Sequence, residues 1–274
     1  MPSSTWIPAL LGQWKPVFSP GSLEASQQSK IDGWCFETLV KIARLRELNR
    51  RLIACERCPR LRTHCREIAH NKRKAYRGWD YWAKPVPGFG DPEAQLLIIG
   101  LAPGAHGSNR TGRMFTGDSS GDFLYRALCK AGFANRPQAR ARDDGFHLHN
   151  AYITAIARCA PPQNKPTRQE IANCSEYLSA ELNLLENVKA VLALGKIAFE
   201  SYLVLLRRQG QITSRSGVTF RHGARYTLPN GLPMLFSAYH PSRQNTQTGR
   251  LTDAMFDEVL EAISSELDRG AYSA

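Results

Sequence analysis

The chain has 274 residues, enough for one large domain with appendages or two small ones, and a hydrophobic content of 42% is sufficient for a folded core. Thirty-six Lys and Arg against twenty-four Asp and Glu give a net charge of +12; such an excess is expected of a protein that meets a polyanion, because released counterions drive phosphate contacts. No apolar stretch approaches the ~20 residues that span a bilayer, and the opening MPSSTWIPALLGQWKPVFSPGS does not read as a secretory signal, so the expectation is a cytoplasmic protein, in which cysteines act as thiols, metal ligands or catalytic groups.

In chain order, residues 1–35 are punctuated by Ser, Gly and Pro and are expected to form an N-terminal extension, with a single domain over 36–270. From Phe36, apolar residues at Leu39, Ile42, Leu45, Leu48 and Leu52 have helical spacing and a basic opposite face. Residues 58–84, rich in Arg, Lys, His and aromatics, are expected to wrap the surface. Strand-like runs follow at 96–100, 151–157, 190–195 and 233–239, and helical patterns at 122–132, 167–186, 196–208 and 251–267. Thr167 and Glu170 have the spacing of a capping box. Residues 212–233, with LPNGLP inside, suggest a hairpin before the last strand. Strands alternating with helices imply an α/β fold, a parallel sheet covered by helices on both faces, with its site beyond the strand C-termini.

Two sequence stretches fall at that edge. GLAPGAHGSNRTGRMFTGD, residues 100–118, carries five glycines, two arginines and a single carboxylate. Its glycines let a planar group or phosphate approach the backbone, Asn109, Arg110 and Arg113 are phosphate or base partners, and Phe115 is either a stacking face or a core plug. HPSRQNTQTGR, residues 240–250, sets His240 at a strand end and follows it with Ser242, Arg243, Gln244, Asn245 and Arg250, a polar run suited to phosphate or groove contact.

Of the seven cysteines, Cys55 and Cys58 form a Cys-x-x-Cys pair, Cys159 follows a strand and Cys174 lies on the capped helix. Two thiolate pairs suit either zinc or an iron–sulfur cluster, with Cys65 as a rival ligand and Cys129 as a core residue.

Together GLAPGAHGSNRTGRMFTGD, RCAPPQNKPT and HPSRQNTQTGRLT resemble the family 5 (type b) uracil-DNA glycosylases, over residues 54–263. The resemblance implies the three-layer α/β/α uracil-DNA glycosylase-like fold with a central four-stranded, mainly parallel sheet. It also implies a 4Fe–4S cluster on Cys55, Cys58, Cys159 and Cys174, leaving Cys65 a bystander. Family 4 relatives begin the first motif Gly-Glu-Ala-Pro-Gly and carry an asparagine on the second strand. Here those positions are Leu101 and Ala155, the mark of family 5, and Asp118 is the loop's one carboxylate.

The implied activity is a monofunctional DNA repair glycosylase, without lyase activity, that flips a deaminated base out of double- or single-stranded DNA and hydrolyses its N-glycosidic bond. Gly100, Leu101, Ala102, Gly104 and Phe115 would form the base pocket, His240 would donate to uracil O2, Asn164 would hold the water and Asp118 would assist it. With few side chains to read the base edge, hypoxanthine and xanthine are expected substrates beside uracil. The alternatives are a strictly uracil-specific family 4-like enzyme and a non-catalytic iron–sulfur DNA-binding relative. A monomer, associated with the nucleoid through DNA, is expected.

Overall fold

The computed structural model describes residues 25–271, with side chains described for 37–269; of the extension expected over residues 1–35, the first 24 lie outside them. The described residues fall into two units, 25–40 and 41–271. The first helix, α1 (Ala25–Ile53), begins well before Phe36. The expected surface wrap contains a second helix, α2 (Pro59–His70), with proline in its first turn, where a missing N–H costs nothing. Leu61 and Cys65 are buried and Ile68 half-buried along one face of it, a stripe diluted by the charges between them.

The remaining elements follow in order: β1 (Phe89–Gly90), β2 (Leu96–Gly100), α3 (Ser108–Thr111), α4 (Ser119–Lys130), β3 (Ala151–Ala155), α5 (Arg168–Leu184), β4 (Ala190–Leu194), α6 (Lys196–Arg208), β5 (Arg225–Tyr226), β6 (Met234–Ala238), α7 (Arg243–Gln247) and α8 (Asp253–Ala271). They form one six-stranded sheet in the order β1-β3-β2-β4-β6-β5. The four central strands are parallel, as expected, and the two edge strands pair antiparallel. The expected four-stranded sheet is thus extended by two strands of two residues each, too short to show an alternation. The hairpin expected before the last strand is replaced by one short strand, β5, which pairs antiparallel with the last strand, β6; the connection between them passes through Asn230 (φ 60°) and Gly231 (φ 67°).

The central strands read as continuous apolar runs because both faces are covered. Leu96 and Ile98 pack with Phe123, Leu128, Phe256 and Ile263 of α4 and α8. Leu97 and Ile99 point the other way, onto Leu178 of α5 and Phe199 and Tyr202 of α6. At the head of α5 the capping box is complete: Thr167 Oγ1 accepts from Glu170 N, and Glu170 accepts from Thr167 N. Glu170 also takes two hydrogen bonds from Arg60 at 2.8 and 2.7 Å, which ties α2 to α5. No helix among the described residues is long and apolar enough to cross a membrane. Because the central strands run parallel, the loops after β2, β3 and β6 all leave from the same edge of the sheet.

Candidate active site

At that edge the loops enclose a cavity of about 690 Å³, within the size range of small-ligand sites. Gly100, Leu101, Ala102, Gly104 and Phe115 line it from the loop after β2. Ala155 contributes from the end of β3, Asn164 from the loop beyond it, and His240 with Ser242, Arg243 and Gln244 from the segment after β6. Asp118 completes the wall. The expected pocket and catalytic residues therefore meet in one place.

Asp118 holds two positions at once. It is the N-cap of α4, its Oδ1 accepting from Gly121 N at 3.0 Å. Its Oδ2 lies against the loop backbone, so closely that a Cβ would stand 1.9 Å away at Gly107 and 2.7 Å away at Gly104. Burial raises the Asp118 carboxyl above its ordinary range, and hydrogen bonds from the Gly121 and Ser120 backbone offset part of that rise.

His240 stacks on Phe115, the ring centroids 5.8 Å apart and the planes 30° from parallel. Burial depresses its pKa to about 4, so the imidazole is neutral at neutral pH. Its carbonyl accepts from Asn245 Nδ2 at 2.8 Å, and Ser242 caps α7 through Asn245 N; Asn245 thus shapes the loop rather than lining the cavity. Arg243 and Gln244 are exposed beside it, and the Arg250 guanidinium lies 4.6 Å from the Tyr239 ring centroid. Phe115 is both wall and plug: it is 9% exposed, and a Cβ at Gly100 would come within 3.0 Å of its ring. It sits at φ 49°, and Asn164 at φ 57°, a left-handed conformation that a non-glycine residue holds only where its surroundings fix it.

Three expected DNA contacts are turned inward. Asn109 is fully buried, its amide donating to the Cys65 and Ala105 carbonyls. Arg110 is sandwiched between Tyr76 and Trp79, 4.2 and 4.1 Å from their ring centroids, and donates to the His106 and Gly117 carbonyls. Arg113 forms a bidentate pair with Asp144, both bonds 3.0 Å, and bonds Thr116 Oγ1. These side chains are 0–4% exposed, so they brace the loop internally and the expectation that they contact DNA is corrected. Burial alone would raise the Asp144 carboxyl, but hydrogen bonds from Arg113 and from the Arg140, Phe146 and Ala141 backbone outweigh it and hold it well below the usual carboxylate range.

Among the cavity residues that escaped the sequence reading, His106 and Arg73 carry ionisable side chains. Tyr81 Oη lies 2.8 Å from His106 Nδ1, and burial, then Arg73 and Arg110, lower the His106 pKa. His106 lies inside the first motif, between Ala105 and Gly107, where a histidine flanked by small residues was the available signal. Arg73 lies in a basic stretch that has no periodicity.

Behind the cavity, Cys55 and Cys58 after α1, Cys159 after β3 and Cys174 on α5 line one narrow cleft together with Arg62 and Arg158. Cys65 does not line it; its Sγ donates to the Ala160 carbonyl at 3.7 Å and contacts Cys159. The contact with Cys65, then burial, raises the Cys159 thiol, and burial pushes Cys174 up to about 11, so a metal bound there must displace protons. Among the described residues no group of three or more His, Cys, Asp or Glu side chains converges as a single-ion site requires; the four thiols surround a space instead. Cys129 packs against the core, as expected.

A family model described as the Uracil DNA glycosylase superfamily matches residues 87–264. The chain is 54% identical to the type-5 uracil-DNA glycosylase of Thermus thermophilus, over 76% of its own length and 92% of the relative's. Identity to the type-5 uracil-DNA glycosylase of Mycobacterium leprae is 47%, over 78% and 92%. A type-4 uracil-DNA glycosylase of Pyrobaculum aerophilum matches at 29%, over 61% of this chain and 68% of the relative.

Two substitutions test this loop. Gly107→Ala meets the Asp118 carboxylate and should lose about 1–3 kcal/mol in urea unfolding, whereas Gly78→Ala, with nothing within 4 Å of the new methyl, should stay within about 0.5 kcal/mol of wild type. Asp144→Asn should cost about 2 kcal/mol at pH 7. Because the folded carboxyl is depressed, that deficit should persist above the ordinary Asp pKa and shrink as pH falls below about 4; a pH-independent deficit in urea melts contradicts the charged pairing.

Proposed function

The chain belongs to the uracil-DNA glycosylase superfamily, in its type-5 branch, a hydrolase of N-glycosyl bonds in DNA repair, and we propose that the Asp118–His240 cavity receives the flipped uracil. The observation that carries this assignment is the convergence of Asp118, Asn164 and His240 on one recessed cavity at the sheet edge. A base inside a duplex is out of reach, so the nucleotide swings out at a cost of a few kcal/mol. Phe115, already paired with an aromatic ring, offers the face on which the base stacks, a contact worth about 1–3 kcal/mol. Ser242, Arg243 and Gln244, with Arg73, border the cavity and in this reading, together with Arg250, contact the flanking phosphates and groove.

As the C1′–N1 bond breaks, its electron pair leaves with the base and the sugar becomes cationic. The neutral imidazole of His240 donates an N–H to uracil O2 and spreads that negative charge. Water held by the Asn164 side chain adds to C1′, and Asp118 stabilises the cation and takes the water's proton, which passes on to the departing base. An abasic sugar and free uracil result. Among the described residues lining the cavity there is no lysine, and a Schiff-base lyase step needs an amine nucleophile, in keeping with a monofunctional enzyme.

The walls where family 4 reads uracil are Leu101 and Ala155, both apolar and both in the cavity. A site with so few polar edge readers rejects a different base weakly, so hypoxanthine and xanthine are substrates as well.

Cys55, Cys58, Cys159 and Cys174 hold a 4Fe–4S cluster in this reading: four thiols fit that donor set, they face one cleft, and Cys65 stands outside it. When bound, such a cluster supplies a cross-link between the end of α1, the exit of β3 and α5.

The test is a set of end-labelled duplexes carrying uracil, hypoxanthine, xanthine or thymine opposite guanine, with alkali to cut abasic sites. Cleavage of the first three, with His240→Ala slowed about 10²–10³-fold and Asp118→Asn also impaired, is expected. Uracil cleavage alone removes the broad specificity, and no cleavage by a folded, DNA-binding protein removes the catalytic reading. Because His240 is neutral down to about pH 4, single-turnover rates should show no His240 inflection at pH 6–7. The same depression means its contribution to stability is present above about pH 6.5 and is lost as pH falls towards 4; wild-type unfolding should show that slope and His240→Asn should flatten it, leaving the part that His106 contributes.

A further inference from the structure

We propose that Arg158 is the charged hydrogen-bond donor to the group held by the four thiols, governing how firmly that group is retained and how readily it accepts an electron. The inference rests on the reading of Cys55, Cys58, Cys159 and Cys174 as cluster ligands. Arg158 is fully buried, directly precedes Cys159 and lines the same cleft as all four thiols. Its Nη2 donates to Glu181 Oε2, a buried carboxylate that also accepts from Thr154 Oγ1 at 2.5 Å. The guanidinium's other edge has no partner: Nε and Nη1 are both buried without a hydrogen bond.

An unpaired buried N–H is costly, the more so when it is charged, so such atoms call for a partner outside the polypeptide. Thiolate sulfurs bound to metal carry negative charge and accept N–H bonds. Glu181 does not line the cleft, which leaves the positive end of the ion pair towards the thiols. The neighbouring Arg62 is different: its Nη1 donates to the Ala83 carbonyl at 2.9 Å and its Nε to Glu56. A positive edge facing the cluster favours its more negative, reduced state, and hydrogen bonds to the sulfurs are one of the terms that set such potentials.

The experiment uses the full-length, cluster-loaded protein. Wild type is compared with Arg158→Lys, which keeps the charge but lacks the planar edge, and with Arg158→Met/Glu181→Met, which leaves no unpaired carboxylate behind. Iron and sulfide content, decay of the visible absorbance under an iron chelator, midpoint potential by dithionite titration and far-UV circular dichroism are read for each. The double variant should fold, lose its iron about 10-fold faster and titrate at a lower potential. Arg158→Lys should lose iron faster than wild type while titrating near it. A folded double variant with wild-type lifetime and potential overturns the proposal, as an ordered water completing the guanidinium would predict. Should the double variant not fold, a wild-type lifetime in Arg158→Lys overturns it. Wild-type protein without iron and sulfide is a separate result, which removes the cluster reading itself.

Discussion

The Asp118 carboxylate is wedged between the first turn of α4, where it accepts from Gly121 N, and the backbone of Gly104 and Gly107, and the shape of the site depends on holding it there. Capping fixes one oxygen and leaves the other against the loop. Glycine at 104 and 107 is what allows that approach. Gly121 is equally constrained, since a Cβ there would lie 1.7 Å from the Phe115 carbonyl. The helix that carries Asp118 and the loop that carries Phe115 are therefore one packed unit, and the His240 ring closes against it from the strand on the other side of β4.

The loop in turn is made rigid from within by its own arginines. Arg110, held between two aromatic rings, and Arg113, clamped by Asp144, span the loop and anchor it to the segments at 76–79 and 142–144. Charge along the chain carries no sign of this, because a basic residue in a glycine-rich loop reads the same whether it faces solvent or the interior. The polar segment after β6 was easier to interpret: it begins where a strand ends and lacks apolar residues to bury. The central strands and α6 were legible from continuous apolar runs and helical spacing, and Thr167 with Glu170 announced α5. Edge strands of two residues could not be seen, as no period fits in them, and the early start of α1 was hidden because residues 25–35 lack a regular apolar stripe. His106 was in view but had no role until the fold set Tyr81 beside it.

The exit of β3 serves two purposes within ten residues. Ala155 faces the cavity, Arg158 and Cys159 face the thiol cleft, and Asn164 returns to the cavity. Cys174 on α5 and Cys55 and Cys58 at the α1–α2 junction border the same cleft, and the Arg60–Glu170 bonds join those helices a second time. The cavity wall and the thiol cleft are thus joined through the exit of β3, with the Arg158–Glu181 pair buried beside the cleft.

Leu101 and Ala155 give the cavity apolar walls at the points where a base edge would be inspected. In the proposed reading, walls of that kind inspect little of a nucleobase once it has entered, so much of the rejection of matched, undamaged pairs falls before entry. The filter is the helix itself: a mispaired guanine–uracil step opens more readily than a matched pair, and its weakly stacked neighbours lower the threshold further. On that reading recognition would be in part a kinetic sieve run by local melting, in which the sequence surrounding a lesion would help set how soon it is found.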